Sequence, residues 1–167
     1  MSERITHLVM AAMLLIPCTA AAQASPDLKR LDAMVGRWRV DVDLKATPLT
    51  QAAKASGTEE CEWFADRHVV CRSDAKGSAG SYSQMRTFSY TPARKDYAVY
   101  AVDSLGTALL ANGQVSGDTW TFTTSQPAFN IRFTLKMAPG AYTAVAEYSG
   151  LDGKYLPLSE VRATRTK

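Results

Sequence analysis

The 167-residue sequence predicts an all-β fold, an antiparallel meander closed into a barrel of about eight to ten strands and opened by one short helix. Three observations predict it. Apolar and polar residues alternate with period two in one segment after another, and turn-forming residues separate those segments at short intervals. No second helical period of useful length follows the first, so the crossovers that a parallel sheet needs are missing. The lone helix, placed where it can plug one end, favours a barrel over a sandwich.

Residues 1–24 read as a secretory signal: Arg4 in a short polar start, an apolar run from Leu8 to Ile16, and Ala22-Gln23-Ala24 as a small-x-small cleavage site. The domain is then 25–167, and a periplasmic or secreted location is expected. Pro17 stands before Cys18 where a lipidated cysteine would want a small residue, which disfavours a lipoprotein. The apolar run is shorter than the roughly 20 residues a bilayer requires, so no membrane span is expected. Ser25-Pro26-Asp27, with Leu28, Leu31, Met34 and Val35 at helical spacing, gives the helix, and Gly36 ends it.

The period then changes. Trp38, Val40, Val42 and Leu44 alternate with Arg37, Arg39, Asp41 and Asp43, as in a strand with one wet face. Ala46 to Gly57, rich in Ala, Thr, Lys and Gln, reads as a long loop able to sit over a barrel mouth. Strands are expected at Thr58 to Phe64, His68 to Asp74, Ser81 to Thr91, Asp96 to Ser104, Thr107 to Val115 and Asp118 to Thr124. The cleanest alternation, Phe129, Ile131, Phe133, Leu135 and Met137, follows, and Ala141 to Ser149 and Tyr155 to Thr164 complete the set. Hairpin chemistry lies between them at Thr91 to Asp96, Ser116-Gly117-Asp118, Pro139-Gly140 and Leu151-Asp152-Gly153.

Composition excludes several functions. With 19 Lys+Arg against 16 Asp+Glu and the basic residues scattered among acids, nothing forms the stripe that nucleic acid would require. There is no Gly-x-Ser-x-Gly elbow, and His68, the one histidine after the signal, is expected in a turn with no serine partner. No glycine-rich loop opens a helix to cradle phosphate. Glu59-Glu60 and the pair Asp41 and Asp43 are expected on solvent faces, where charge serves solubility more often than acid–base catalysis. Cys61 and Cys71 lie symmetrically about Asp66, so a three-residue hairpin loop places them opposite one another, and an exported pair reads as a disulfide. No metal site and no cofactor are expected.

Leu31-Asp32-Ala33-Met34-Val35-Gly36-Arg37-Trp38 resembles the entry motif of lipocalin-like barrels, the calycin group. Phe88 to Tyr97, Val102-Asp103-Ser104-Leu105-Gly106 and Gly117-Asp118-Thr119-Trp120-Thr121-Phe122 extend the likeness to an uncharacterised bacterial family of lipocalin-like domains, many of them exported. The resemblance implies a barrel end built from Gly36 and Trp38 and covered by a basic residue of the last strand, Arg162 or Arg165, of which Arg162 is assigned here. It implies no settled activity. A related haem-binding group uses a histidine near the C-terminus, which this sequence lacks.

Binding is the function best supported. Tyr82, Gln84, Arg86, Phe88 and Tyr90 share one strand face, and if that face points inward, Arg86 among aromatics is placed to receive a ligand carboxylate. The competing reading has Arg86 reaching water near a strand end or pairing with an acid across the sheet, and Glu147 carries the same alternatives. The candidate ligand-binding set is Arg86, Phe88, Tyr90, Tyr100, Trp120, Phe133 and Tyr148. Asp103 with Ser104 is expected to form an Asx-type turn. The expected function is an exported carrier or sequestering protein for a small apolar or amphipathic ligand, with an anionic one among the options. The alternatives are a module that binds another envelope protein through its loops over a packed interior and, with less support, a calycin-type isomerase or cyclase.

Overall fold

The computed structural model describes residues 25–48, 50–125, 129–150 and 152–167. The expected signal segment and Leu151 of the last turn lie outside them. Helix α1 (Pro26–Lys29) runs directly into a 3₁₀ turn, Arg30–Ala33. Ser25 caps it, its Oγ accepting the Leu28 N–H at 3.1 Å, while Pro26 occupies a first-turn position where no N–H is needed.

Ten strands follow: β1 (Gly36–Leu44), β2 (Ala53–Phe64), β3 (His68–Gly77), β4 (Gly80–Thr91), β5 (Asp96–Asp103), β6 (Ala108–Ser116), β7 (Thr119–Ser125), β8 (Asn130–Ala138), β9 (Ala141–Ser149) and β10 (Tyr155–Arg165). Each pairs antiparallel with its sequence neighbour, and β10 pairs with β1, so the meander closes into a barrel as expected. Closure leaves no strand edge open to pair with another chain. Among the described residues no helix is long and apolar enough to cross a membrane.

Two elements run longer than expected, β3 to Gly77 instead of Asp74 and, by more, β2. β2 begins at Ala53 instead of Thr58, so the loop at that end shrinks to residues 45–52. The inward positions of this early part are Ala53, Ala55 and Gly57, too small to produce the large-apolar alternation by which a strand is recognised. Gly57 is required there, because a Cβ would stand 1.9 Å from the Asp74 carbonyl oxygen of β3.

The β2–β3 hairpin has the three-residue loop that the cysteine spacing predicts. Phe64 pairs with His68 and Cys61 with Cys71, and the two sulfurs are bonded. Ala65 and Asp66 both take left-handed φ, +51° and +52°, to make the turn.

The core fills one end of the barrel. Leu28, Leu31 and Met34 from the opening helical segment pack beneath a wall that includes Trp38, Val69, Tyr97, Trp120 and Tyr142. Trp38 meets the Tyr142 ring edge-on at 5.2 Å between centroids and donates its indole N–H to the Met34 carbonyl at 3.0 Å. Arg165 covers this Trp: its guanidinium lies 4.3 Å from the ring centroid and donates to the Val35 carbonyl at 2.7 Å. Arg162 does not have this role. Ala163 points inward at the β1 register, so the neighbouring Arg162 points outward, across from Asp41 and Thr143, whereas Arg165 has the inward parity and stands at the barrel end. Gly36 makes room for that arginine. Its φ of +137° suits glycine, and a Cβ would lie 2.3 Å from the Arg165 guanidinium.

Candidate ligand-binding site

Strand parity sorts the inner wall into two halves. At the helix end the inward residues Trp38, Val69, Tyr97, Trp120, Leu135 and Tyr142 are buried. Towards the other end the inward positions of four strands become small or only half-buried, Ala53, Ala55 and Gly57 on β2, Ala75 and Gly77 on β3, Tyr82 and Gln84 on β4, Ile131 and Phe133 on β8, while Thr124 on β7 and Ala146 and Tyr148 on β9 stay buried. Solvent therefore enters this half from the side opposite the helix. A ten-stranded barrel is wider than the eight-stranded kind whose interior side chains can fill, and the inward glycines serve close strand approach, since a Cβ at Gly57 or Gly77 would stand 1.9 Å from a backbone oxygen of the paired strand.

Where the halves meet, a polar cluster crosses the interior. Glu59 is only 3% exposed, and Arg86 reaches it from β4 across β3. One Glu59 oxygen accepts from Ser73 Oγ at 2.6 Å and from the Arg86 Nη2; the other accepts from the Tyr142 hydroxyl at 2.7 Å. Burial works to raise the Glu59 pKa, but the Arg86 charge and the hydrogen bonds from Ser73, Tyr142 and Arg86 outweigh it and hold the carboxyl below the usual carboxylate range. Burial works to lower the Arg86 pKa and Glu59 reverses that, so both groups stay ionised. The same burial, with the Glu59 charge beside it, pushes the Tyr142 hydroxyl up and keeps it neutral.

Glu59 is a correction to the sequence reading, which placed it with Glu60 in solvent. The two neighbours face opposite ways. Glu60 points out and binds Arg37 at 2.9 Å, and the inward direction of Cys61 settles by parity that Glu59 points in. The cysteine pair was the signal that could have found it.

Arg86 thus lies inside the barrel but follows the competing reading, its charge met by an acid of the sheet. Its Nε–H is buried without a partner. Beside it is a cavity of about 10 Å³, about the room one water needs, lined by Met34, Glu59, Cys71, Phe88, Met137 and Tyr142 among others. The Arg86 side chain as a whole is 20% exposed.

Above Arg86 on the same wall, Gln84 donates to the Tyr82 hydroxyl at 2.9 Å, and that hydroxyl donates to Asp103 at 3.3 Å. Burial, with Asp103 adding to it, pushes Tyr82 up to about 12. In a ten-strand ring β9 stands opposite β4, so this polar wall faces Ala146 and Tyr148, flanked by Phe133 on β8 and Val161 on β10.

The other sequence candidates fall in different places. Phe88 is buried under Arg86, its ring 5.7 Å from the guanidinium carbon. Tyr90 and Trp120 belong to the closed end, where Tyr90 donates to Asp27 at 3.0 Å and Tyr97 packs between the two rings. Phe133 and Tyr148 line the open half. Tyr100 is not in the interior: Val99 and Ala101 point inward, so Tyr100 is on the outer wall and 46% exposed. Glu147 is also outside, bound to Arg132 at 2.8 Å. Asp103 makes the expected Asx turn, its Oδ1 accepting the Leu105 and Thr107 N–H groups at 2.9 Å each.

Two further groupings were not anticipated. His68 begins β3, and its Nδ1 lies 2.7 Å from Ser89 Oγ, but the pair is on the outer wall and among the described residues no acid orients the ring. Glu59, Cys61 and Cys71 come within 4.8 Å of one another, yet the bonded sulfurs offer no thiolate to a metal.

Residues 23–149 match a family described as "Protein of unknown function (DUF1579)". The chain belongs to this family. No curated protein matches it in sequence. Among solved structures, this DUF1579 member is similar to Rv2717c from M. tuberculosis, at 10% identity and a TM-score of 0.67, covering 87% of this chain and 100% of that one. It is also similar to the S-type phycobiliprotein lyase CPES from Guillardia theta, at 12% identity and a TM-score of 0.57 over 83% of this chain and 92% of that one. At such identities the likeness shows a shared fold and nothing further.

Proposed function

We propose that this protein is an exported carrier or sequestering protein that takes a small, largely apolar ligand into the open half of its barrel. The observation carrying this reading is the contrast along the inner wall of β2, β3, β4 and β8, buried at the helix end and half-buried at the other. A concave, mostly apolar space with a few placed polar groups is the usual form of a ligand site. Export is supported by the segment 1–24 and by the cysteine pair, which suits an oxidising compartment.

The test is native against denaturing mass spectrometry of the protein purified from its own host. A mature mass beginning at Ser25 with an additional noncovalent small-molecule mass supports the reading. A bare chain that also fails to take up any apolar ring probe overturns it. A second reading, a module for another envelope protein, is favoured by the outer wall of β4–β6, where Tyr100, Leu110 (57% exposed) and Met85 lie close together on neighbouring strands. Co-purification of a stoichiometric protein partner would support it.

A further inference from the structure

We infer that the outer wall of β4–β7 is where two copies of this chain meet, face to face, in a weak and reversible homodimer. The inference is independent of the carrier reading, since it uses only side chains that point out of the barrel. The apolar ones stand in two paired rows across β4, β5 and β6: Thr87, Tyr100 and Leu110 in one, Met85, Val102 and Ala108 in the other. Tyr100 and Leu110 are direct cross-strand partners, and both are exposed. A contiguous apolar strip of this kind marks an interaction site more often than lone surface residues do.

Charge separates this wall from the rest of the barrel. The outward residues of β1, β2, β3, β8, β9 and β10 include ionised side chains, several of them paired, as Arg37 is with Glu60, Arg72 with Glu62 and Arg132 with Glu147. The outward residues described on β4–β7 are serine, threonine, alanine, asparagine, glutamine and the members of the two rows. Their one charge, Asp96, stands at the start of β5 and is held by Arg94 at 2.9 Å. Depletion of charge around Tyr and Met is the composition of an interface centre.

The same neutrality names the occupant. A different protein is ordinarily steered and oriented by opposite charges, and this wall offers none. A two-fold axis instead sets each residue against its own counterpart, so any charge near the axis meets its like. For a chain of net charge +3, a neutral wall lets two copies approach without that repulsion. Barrel closure leaves no strand edge for pairing, so association has to use a face. Size sets the strength: four strands about 4.8 Å apart, with outward residues over about 25 Å, give a face of roughly 500 Å² per copy, near the lower limit for a specific interface.

Sedimentation of the protein purified from its own host, over about 1 to 500 µM, tests this, and a monomer–dimer midpoint of about 10–100 µM is expected. Leu110→Lys sets like charges across the axis and should raise that midpoint by about tenfold or more, and Tyr100→Ala should raise it by a similar factor. Val145→Lys, outward on β9 beside Glu160, should leave it unchanged. Added salt should hold or tighten the dimer, because no ion pair is lost and the net charges are screened. A chain that stays monomeric throughout the range overturns the inference, as does a dimer that salt dissolves or that Leu110→Lys leaves intact. A different protein bound stoichiometrically to this wall overturns it as well.

Discussion

The two ends of the barrel are made from the same ten strands, yet they use the inward positions in opposite ways. At the helix end, aromatic rings from β1, β5, β7 and β9 meet Leu28, Leu31 and Met34 and exclude water. At the other end, Tyr82, Gln84 and Phe133 are only half-buried, while Thr124 and Tyr148 stay buried. Between them stands the Glu59–Arg86 pair. Stability and binding are thereby separated along one axis: the closed half holds the sheet together, and the open half can vary its contents at little cost to the fold.

Substitutions should expose that division, the largest effect coming from the closed end. Trp38→Ala removes the ring that joins the helical turn, Tyr142 and Arg165, and a loss of about 3–5 kcal/mol is expected in chemical denaturation. Loss of less than about 1 kcal/mol would mean that the plug is not what closes the barrel. Arg86→Met leaves Glu59 buried and unpaired and should cost about 3 kcal/mol, the low end for a broken buried pair because Arg86 is partly exposed.

The pair also predicts a pH dependence. The folded protein holds Glu59 below its unfolded pKa of about 4.3, so as pH falls the unfolded chain takes up the proton first. Its stabilisation is full at neutral pH, declines as pH drops below the ordinary carboxylate range, and should decline less in Glu59→Gln, as thermal melts against pH would show. Opening the Cys61–Cys71 bond should cost about 2–3 kcal/mol by releasing a short loop, and because both sulfurs are buried the native protein should resist mild reductant until it is unfolded. The smallest stability effect belongs to the open half. Ala75→Phe should shift the melting midpoint by only a few degrees while abolishing binding of the ring probes; a large loss of stability would show that this half is packed after all.

Much of this architecture is legible in the chain. Alternation in β1 and β8 needs no tertiary knowledge, since a residue pattern of period two can bury only one face. The spacing of Cys61 and Cys71 about Asp66 is enough to give the hairpin loop. Parity errors account for the misreadings. Tyr100 has the composition of a wall residue but follows an inward Val99, and Arg162 was chosen over Arg165 because both are basic and near the end of the last strand. The start of β2 was hidden for a different reason: alanine and glycine mark an inner face only when the strand packed against them is known.

The sequence by itself determines the antiparallel all-β class, the opening helix, the hairpin held by its cysteines and the common face of Tyr82 to Tyr90, but not that this face points inward. These depend on periodicity and turn chemistry, which act between residues close in the chain. Tertiary structure alone decides that Arg86 meets Glu59, residues separated by 27 positions and an intervening strand, and that Tyr142 from the far side of the barrel completes the cluster. Ring closure between β1 and β10 brings those strands to a common interior, and which charge faces which across it is set by barrel geometry that no local pattern encodes.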